Sequence, residues 1–343
     1  MSPGNTVTAA NAFSSIYAIR SGIGRATHAW TIVIGAWLMT LVVSLPTTLD
    51  VRERIAAHVG PSLEAAVLAE GADYDWMSEF ESQASGAAST FGSSVIGFAA
   101  VADSVETLLE GSRQPSVILA TGVVYVLLWT FLAGGIIDRC ARDRALRAHG
   151  FFQVCGGHFP ALLRLWLLSG LVYLGIARSF YPWLLDLYDQ VTRNVDVERT
   201  AFGLRLGVLG VFLLVLGTAN LIFDFAKIRL VVEDRRSALG AFHAAVRFVA
   251  RNPFGSVAVY IGSAMVFALS FALSALLLPG PGRVGPSMWL SVAVAQAFVI
   301  ARIWTKLVFW ASEAAWFQSR LAHAGYVSKP LPEWPDSVLA EGL

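Results

Sequence analysis

Long apolar runs alternate with polar connections along the chain, and this pattern predicts an all-α membrane protein. A bilayer core of about 30 Å requires roughly 20 apolar residues per helix. Six runs reach this length, and they predict transmembrane helices at about 29–48, 116–137, 161–183, 202–226, 254–278 and 287–310. The first run is longer than the apolar part of a typical signal peptide, and no small-residue cleavage site follows it, so we interpret it as an anchored helix.

Three segments lie outside this predicted six-helix domain of residues 29–310. Residues 1–28 form an N-terminal segment with a short amphipathic helix, and residues 311–343 form a tail. Residues 49–115 form a loop with eleven carboxylates and three arginines. Trp76 and Phe80 are four residues apart in this acidic loop, which predicts a short helix that presents both rings on one face.

The composition agrees with a membrane environment. Hydrophobic residues make up 56% of the 343 positions and charged residues only 14%, whereas soluble proteins carry about 25% charged residues. The formal net charge of +1 provides no overall attraction to nucleic acid, so we expect no nucleic-acid partner.

The distribution of lysine and arginine predicts the orientation. Fourteen of these residues lie beside alternate connections and the two termini, and six lie beside the other connections. Positive residues near helix ends are retained in the cytoplasm. We therefore expect both termini on the cytoplasmic side of a bacterial inner membrane and the acidic loop on the opposite side.

A basic amphipathic helix is predicted between the fourth and fifth spans. Its apolar stripe consists of Leu239, Phe242, Val246 and Val249, at helical spacings of three and four. Such a helix lies in the headgroup layer and attracts anionic lipids, or it packs against the underside of the bundle. The residues predicted to contact lipid headgroups are Arg235, Arg236, Arg247 and Arg251.

A cluster of charged residues near one end of the spans is the candidate site. Asp224 ends the fourth span, with Asn220 one turn before it, and Arg302 and Lys306 reach a similar depth on the sixth span. An ionised group at bilayer depth costs at least about 2.5 kcal/mol unless it is paired or reaches the interface. One expectation is a structural clasp, meaning a set of ion pairs that joins the fourth helix to the sixth, with Asp138 as a further member. The other is that the Asp224 carboxylate faces a wet cavity and binds a cation, a proton or a lipid headgroup.

Glycines on the fourth span predict a helix-packing seam. Small residues permit close approach of helix backbones in membranes. The seam consists of Gly203, Gly207, Gly210 and Gly217. It places this helix at the centre of the predicted bundle.

The sequence contains no recognised catalytic motif. It has no phosphate-binding loop, no dinucleotide fingerprint, no H-E-x-x-H and no G-x-S-x-G. Two groups resemble metal ligands, but their spacing fits neither a structural zinc site nor a calcium loop, so we predict no metal, no cofactor and no catalytic residue. The two groups are Cys140, His149, Cys155 and His158 in one connection, and Asp73, Asp75, Glu79 and Glu81 in the acidic loop.

The stretches "LWTFLAGGIIDRCARDR" and "FDFAKIRLVVEDRRSALGAFHAAVRFVARNP" resemble those of multi-pass bacterial inner-membrane proteins of unassigned function. This resemblance implies a bacterial envelope protein and implies no activity.

The sequence predicts a non-enzymatic membrane protein of one of two kinds. The first is a scaffold or accessory subunit that assembles with itself or with other membrane proteins, as the glycine seam and the acidic loop favour. The alternative is a transporter or lipid-handling permease that uses the cluster around Asp224.

Overall fold

The computed structural model describes residues 3–60, 74–90, 116–143, 147–193, 197–277 and 286–320. Every regular element in these ranges is helical. The α-helices are α1 (Pro3–His28), α2 (Trp30–Val59), α3 (Tyr74–Gln83), α4 (Ser116–Arg142), α5 (Ala148–Gly175), α6 (Tyr181–Thr192), α7 (Glu198–Val232), α8 (Ala238–Arg251), α9 (Pro253–Leu277) and α10 (Pro286–Arg320). A 3-10 turn at Gly86–Thr90 follows α3, and a π-helical turn at Ile176–Phe180 joins α5 to α6.

Six of the helical stretches are long and apolar enough to cross a membrane, which confirms the predicted all-α, multi-pass class. They are Trp30–Val59, Ser116–Arg142, Ala148–Thr192, Glu198–Val232, Pro253–Leu277 and Met288–Arg320. The helices extend beyond the predicted spans because apolar length measures only the part that fits in hydrocarbon. Beyond that part, polar residues continue the helix through backbone hydrogen bonds and packing.

The helices pack closely at only one end of the bundle, which we name the packed end. It consists of α1, α8, the first turns of α2, α5 and α9, and the last turns of α4, α7 and α10, and it contains the main apolar core. Ile136, Ile228 and Leu307 are fully buried there. At the other end, which we name the open end, Leu214, Leu269 and Leu276 are 69%, 72% and 83% exposed. In a bilayer, apolar side chains with this exposure contact lipid.

The N-terminal segment differs from the predicted short amphipathic helix. Helix α1 has 26 residues and packs into the bundle rather than lying only on its surface. Ser15, Ala18 and Ala26 are buried, and Gly22 lies directly against Ser312 of α10.

The predicted C-terminal tail also begins too early. Helix α10 continues ten residues past the predicted end at 310, and Trp316 and Phe317 in this extension belong to the core. The indole of Trp316 donates a hydrogen bond of 3.3 Å to Ser256 on α9. Tertiary packing stabilises this extension, and local apolarity does not reveal it. Residues 321–343 of the predicted tail lie outside the described residues.

The short helix predicted in the acidic loop is confirmed as α3. The rings of Trp76 and Phe80 stack with their centroids 5.1 Å apart, and His58 at the end of α2 meets both rings edge-on. These rings form a small second core away from the main one. The other parts of the predicted loop, residues 61–73 and 91–115, lie outside the described residues.

The predicted basic helix is present as α8, but its buried face differs from the predicted stripe. The buried residues are Ala238, Ala241, Ala245, Phe248 and Val249. Leu239 and Val246 are exposed, and Phe242 is half-buried. Helix α8 therefore packs against the bundle through its alanines, because small side chains permit a close approach to α7.

Candidate functional site

A hydrogen-bonded polar network connects three helices within the apolar packed end. Its centre is Asn220 of α7, whose side-chain oxygen accepts a hydrogen bond of 3.2 Å from the hydroxyl of Tyr173 on α5. The Asn220 nitrogen donates to the hydroxyl of Tyr260 on α9 at 2.8 Å and to Oδ2 of Asp224 at 3.2 Å. Since these bonds join different helices, Asn220 fixes the positions of α5, α7 and α9 relative to one another.

Asp224 is buried and paired on its own helix. Its Oδ1 accepts a hydrogen bond of 2.7 Å from Nζ of Lys227, and only 7% of the residue is exposed. With Asn220 on one oxygen and Lys227 on the other, both oxygens of the carboxylate have a partner. The predicted proximity of Asn220 and Asp224 is thus observed, whereas the ion pair forms with Lys227.

Lys306 lies beside this pair but is bound differently. Its Nζ lies 3.7 Å from the ring centroid of Trp129 on α4 and 5.3 Å from that of Trp310 on its own helix. No carboxylate among the described residues lies within 4.0 Å of it. A cation–π contact contributes about 0.5 to 2 kcal/mol, depending on how far the cation is desolvated, which is less than a close ion pair within a protein interior provides. The positive charge of Lys306 is therefore only partly compensated.

Both lysines line one cavity of about 220 Å³ between α4, α5, α7 and α10. Apart from Lys227, Lys306 and Thr130, its walls are apolar or aromatic. The aromatic and apolar residues of the lining are Tyr125, Val126, Trp129, Ala133, Leu162, Leu165, Trp166 and Trp310. The cavity is smaller than the roughly 300 Å³ at which drug-sized ligand sites begin, so it has room for a headgroup and not for a whole lipid.

A second acid lies near the pair. Glu313 of α10 is fully buried, and neither of its carboxyl oxygens has a hydrogen-bond partner in the described part of the chain. One turn before Glu313 on α10, Phe309 packs against the ring of Tyr260, which is hydrogen-bonded to Asn220 of the network. Glu313 and Lys306 are seven residues apart on one helix, so both side chains lie on the same face of α10.

The other members of the predicted cluster lie elsewhere. Asp138 is buried, and Oδ1 of its carboxylate accepts a hydrogen bond of 2.7 Å from Arg142 on its own helix. Arg302 is exposed, one turn before Lys306. A single clasp of Asp224 with Arg302, Lys306 and Asp138 is therefore not the observed arrangement. Each of the two aspartates pairs with a basic residue three or four positions later on its own helix, where the helix itself provides the proximity.

The predicted glycine seam does not pack against another helix of the described chain. No atom of another element lies within 4 Å of the Cβ position at Gly203, Gly207, Gly210 or Gly217. These glycines occupy the open end, so α7 is not at the centre of the bundle along this part. The glycines in close contact lie at the packed end: Gly22 against Ser312, Gly135 against Cys155 and Phe151, Gly255 against Trp316, and Gly262 against Ile19.

The basic residues predicted to meet headgroups are all exposed, but they are not equivalent. Arg236, Arg247 and Arg251 lie at the surface of α8 or beside it. Arg235 pairs with Glu233, which also holds Arg229. Three of the four predicted residues thus remain at the surface without an ion pair to any described residue, whereas the charge of Arg235 is partly neutralised within the chain.

Sequence reasoning missed Glu313 and the aromatic residues of the site. Glu313 stands alone in the apolar stretch "VFWASEAAWF", and its spacing of seven residues from Lys306 was a usable signal. Trp129, Tyr173 and Tyr260 carry no such signal, because aromatic residues are common in transmembrane helices. Only the packing of four helices brings them to the charged residues.

Neither metal-like group of the sequence is assembled into a site in the part of the chain that the structure describes. Cys140 and Cys155 are buried free thiols. Comparison of the chain with protein-family models, with curated proteins and with solved structures finds no match.

Proposed function

We propose that this chain is a lipid-handling protein of the bacterial inner membrane, with both termini in the cytoplasm, that binds the headgroup of an amphiphilic anion in the cavity beside Lys227 and Lys306. The observation that carries the proposal is the position of Lys306. Its ammonium group lines a mostly apolar and aromatic cavity and faces the Trp129 ring rather than a carboxylate of the described residues.

The chemistry of the cavity favours an anion with an apolar tail. An anionic headgroup would supply the charge that the indole rings compensate only in part. The aromatic and aliphatic walls suit methylene groups, and the volume of about 220 Å³ accommodates a headgroup with the first part of a chain. The remainder of the tail would extend into the surrounding lipid.

Quenching of tryptophan fluorescence tests this proposal, because Trp129 and Trp310 line the cavity. Purified protein in nanodiscs would be titrated with a brominated alkyl sulfonate, whose headgroup stays ionised at all pH values used. We expect saturable quenching that is reduced in Trp129→Phe. A brominated alkyl phosphocholine, which has the same tail and no net charge, should quench without saturation. Nanodiscs that contain brominated phosphatidylglycerol distinguish a membrane phospholipid from a single-chain amphiphile as the source of the anion.

Lys306→Gln is the decisive variant. Loss of its charge should weaken sulfonate binding by about tenfold, which corresponds to about 1.4 kcal/mol. Arg205→Gln is the matched control, because Arg205 is an exposed basic residue on α7 at the open end. Equal dissociation constants for Lys306→Gln and the control would overturn the proposed function.

A scaffold or accessory subunit is the second candidate function. The open glycines on α7 favour it, because a helix of another subunit could approach the backbone at Gly203, Gly207 and Gly210 without a steric clash. Purification in mild detergent should then yield a homo-oligomer or a stoichiometric partner. A monomer without partners, combined with the saturable quenching described above, would favour the lipid-handling function.

A further inference from the structure

Glu313 is a buried carboxyl group that the proposed anion site does not contact directly. It is fully buried on α10, and both of its oxygens lack a hydrogen-bond partner among the described residues. Burial of an ionised carboxylate without a partner is far more costly than burial of the neutral acid. A proton on Glu313 removes most of this cost.

The surroundings of Glu313 connect it to the proposed anion site. Phe309, one turn before Glu313 on α10, packs its ring against that of Tyr260 on α9 with the centroids 5.5 Å apart, and Asn220, the partner of Asp224, donates a hydrogen bond to the Tyr260 hydroxyl. On its own helix, Lys306 lies two turns earlier on the same face. Glu313 therefore belongs to the same electrostatic cluster as the lysines that line the cavity.

Among the described residues, the charged side chains on the helices that pack around this part of α10 are held by other partners or are exposed. On α1, Arg25 donates to the backbone oxygen of Cys140 and to the side chain of Gln318. On α4, Arg142 holds Asp138.

On α7, Arg229 lies 5.6 Å from the ring centroid of Phe317 and pairs with Glu233, and on α10 itself Arg320 lies over the ring of Trp316. The charged and titratable residues of α8, which are His243, Arg247 and Arg251, are exposed. The packed part of α2, from residue 30 to residue 49, contains no titratable residue.

The formal charges of the cluster lead to a specific prediction. With all four groups ionised, Lys227 and Lys306 balance Asp224 and Glu313, and the cluster has a net charge of zero; Arg302, one turn before Lys306, is exposed to the surroundings and is not counted. With a proton on Glu313, the net charge is +1, which matches one bound anion. We infer that the anion in the cavity binds together with one proton on Glu313, so that this residue makes anion binding proton-coupled.

This inference rests on the proposed function and adds to it the proton that is bound together with the anion. The proton comes from water and is added to a carboxylate oxygen of Glu313, and no other bond forms or breaks. When Glu313 is ionised in the absence of ligand, the anion and the proton enter together. The net charge of the cluster is then zero before and after binding. Each species stabilises the other through the charge that it contributes within the low-dielectric core.

The sign of the pH dependence follows directly. Below the pH at which Glu313 loses its proton in the absence of ligand, binding is at full strength. Above that pH, Glu313 must take up a proton from water for the anion to bind. The dissociation constant of the anion therefore rises by up to tenfold per pH unit for one linked proton.

The experiment measures both sides of the coupling with the brominated alkyl sulfonate in nanodiscs. The dissociation constant is determined from tryptophan quenching between pH 5.5 and pH 9, and proton uptake is followed with a pH-sensitive dye in weak buffer. For the wild type we expect weaker binding as the pH rises, with up to one proton taken up per sulfonate. Glu313→Gln should bind at high pH as tightly as the wild type binds at low pH, and the proton uptake should be lost.

Two further variants separate Glu313 from other sources of pH dependence. Glu313→Asp keeps a titratable acid and should restore the coupling, which a purely structural role would not predict. Lys306→Arg holds a fixed positive charge at the cavity, so the pH dependence that remains in this variant cannot arise from titration of Lys306.

Failure of the inference and failure of the proposed function give different results. Saturable sulfonate binding with the same pH dependence and the same proton uptake in the wild type and in Glu313→Gln would overturn the coupling and leave the anion site intact. Absence of saturable binding in the wild type would overturn both.

Discussion

The packed end and the open end of this bundle are built from the same apolar helices, yet they differ in how closely the helices pack and in how far the side chains are exposed. At the packed end, glycines contact side chains of neighbouring helices, and Ile136 and Leu307 are fully buried. At the open end, glycines face empty space and Leu276 is 83% exposed. Hydrophobicity alone therefore does not determine which parts of a membrane helix form the core.

The difference lies in where polar groups occur. Lipid tails are as apolar as leucine, so there is no hydrophobic driving force between helices within a membrane. Hydrogen bonds and close packing take its place. Asn220, Asp224 and Lys306 all lie at the packed end, and each finds its partners in neighbouring helices or one turn away on its own helix. Among the described residues of the open end, fewer side-chain hydrogen bonds join one membrane helix to another, such as that between Thr47 and Thr121, and the large apolar side chains are left to contact lipid.

The sharpest way to test this comparison is to determine which side of the membrane each end faces. In spheroplasts, a membrane-impermeant maleimide should label Ser82→Cys on α3 completely and should leave Arg247→Cys on α8 unlabelled until the membrane is opened. Both positions are exposed, and the two natural cysteines are buried and should give little background. Reversed labelling would overturn the orientation and the cytoplasmic location of both termini.

Removal of the central ion pair should have the largest effect on stability. Asp224→Ala leaves the half-buried ammonium group of Lys227 without its carboxylate; loss of one partner of a fully buried pair costs about 3–5 kcal/mol, so for this partly exposed pair we expect a loss of about 3 kcal/mol. Asp186→Ala, at an exposed position on α6, should change the free energy of unfolding by less than about 0.5 kcal/mol. Denaturation in mixed micelles measures both values. Similar values for the two variants would show that the packed end does not depend on this pair.

Glycine substitutions should produce a smaller difference between the two ends. In Gly22→Val, the new side chain would collide with the backbone of Ser312, and over-packing of this kind costs about 1–3 kcal/mol. In Gly207→Val, the side chain enters open space, and we expect a change below about 0.5 kcal/mol.

Thermal unfolding together with size-exclusion chromatography checks the glycine variants. If Gly207→Val dissociates an oligomer without destabilising the monomer, the second candidate function is favoured. If it lowers the stability of the monomer as much as Gly22→Val, the contrast between the two ends is wrong.

Much of the fold could be predicted from the chain because the relevant signals are local. Six apolar runs determine six candidate spans, and the four-residue spacing of Trp76 and Phe80 was sufficient to predict α3. The extension of α10 to Arg320 was not predicted, because "ASEAAWFQSR" is not apolar enough to indicate a span and its burial depends on α1 and α9. The buried face of α8 was missed for a similar reason, since alanines give a weaker periodic signal than the leucine and valine that the structure leaves exposed.

The candidate site was predicted only in part. Asn220 and Asp224 are one turn apart, so their contact follows from helix geometry. The positions of Lys306 over Trp129 and of Asn220 between Tyr173 and Tyr260 depend on how separate helices rotate and tilt against one another.

The sequence by itself determined that this chain is an all-α, multi-pass protein with six helices suited to a membrane. The length of an apolar run is a local property, so it can be read from consecutive residues without knowledge of the tertiary structure. Only the tertiary structure decided that the helices pack at one end, that Lys306 lies over Trp129, and that Glu313 is fully buried without a hydrogen-bond partner among the described residues. The physical reason is that a buried charge or amide is stabilised by whatever group comes within about 3 to 4 Å of it, and distant parts of the chain supply most of those groups.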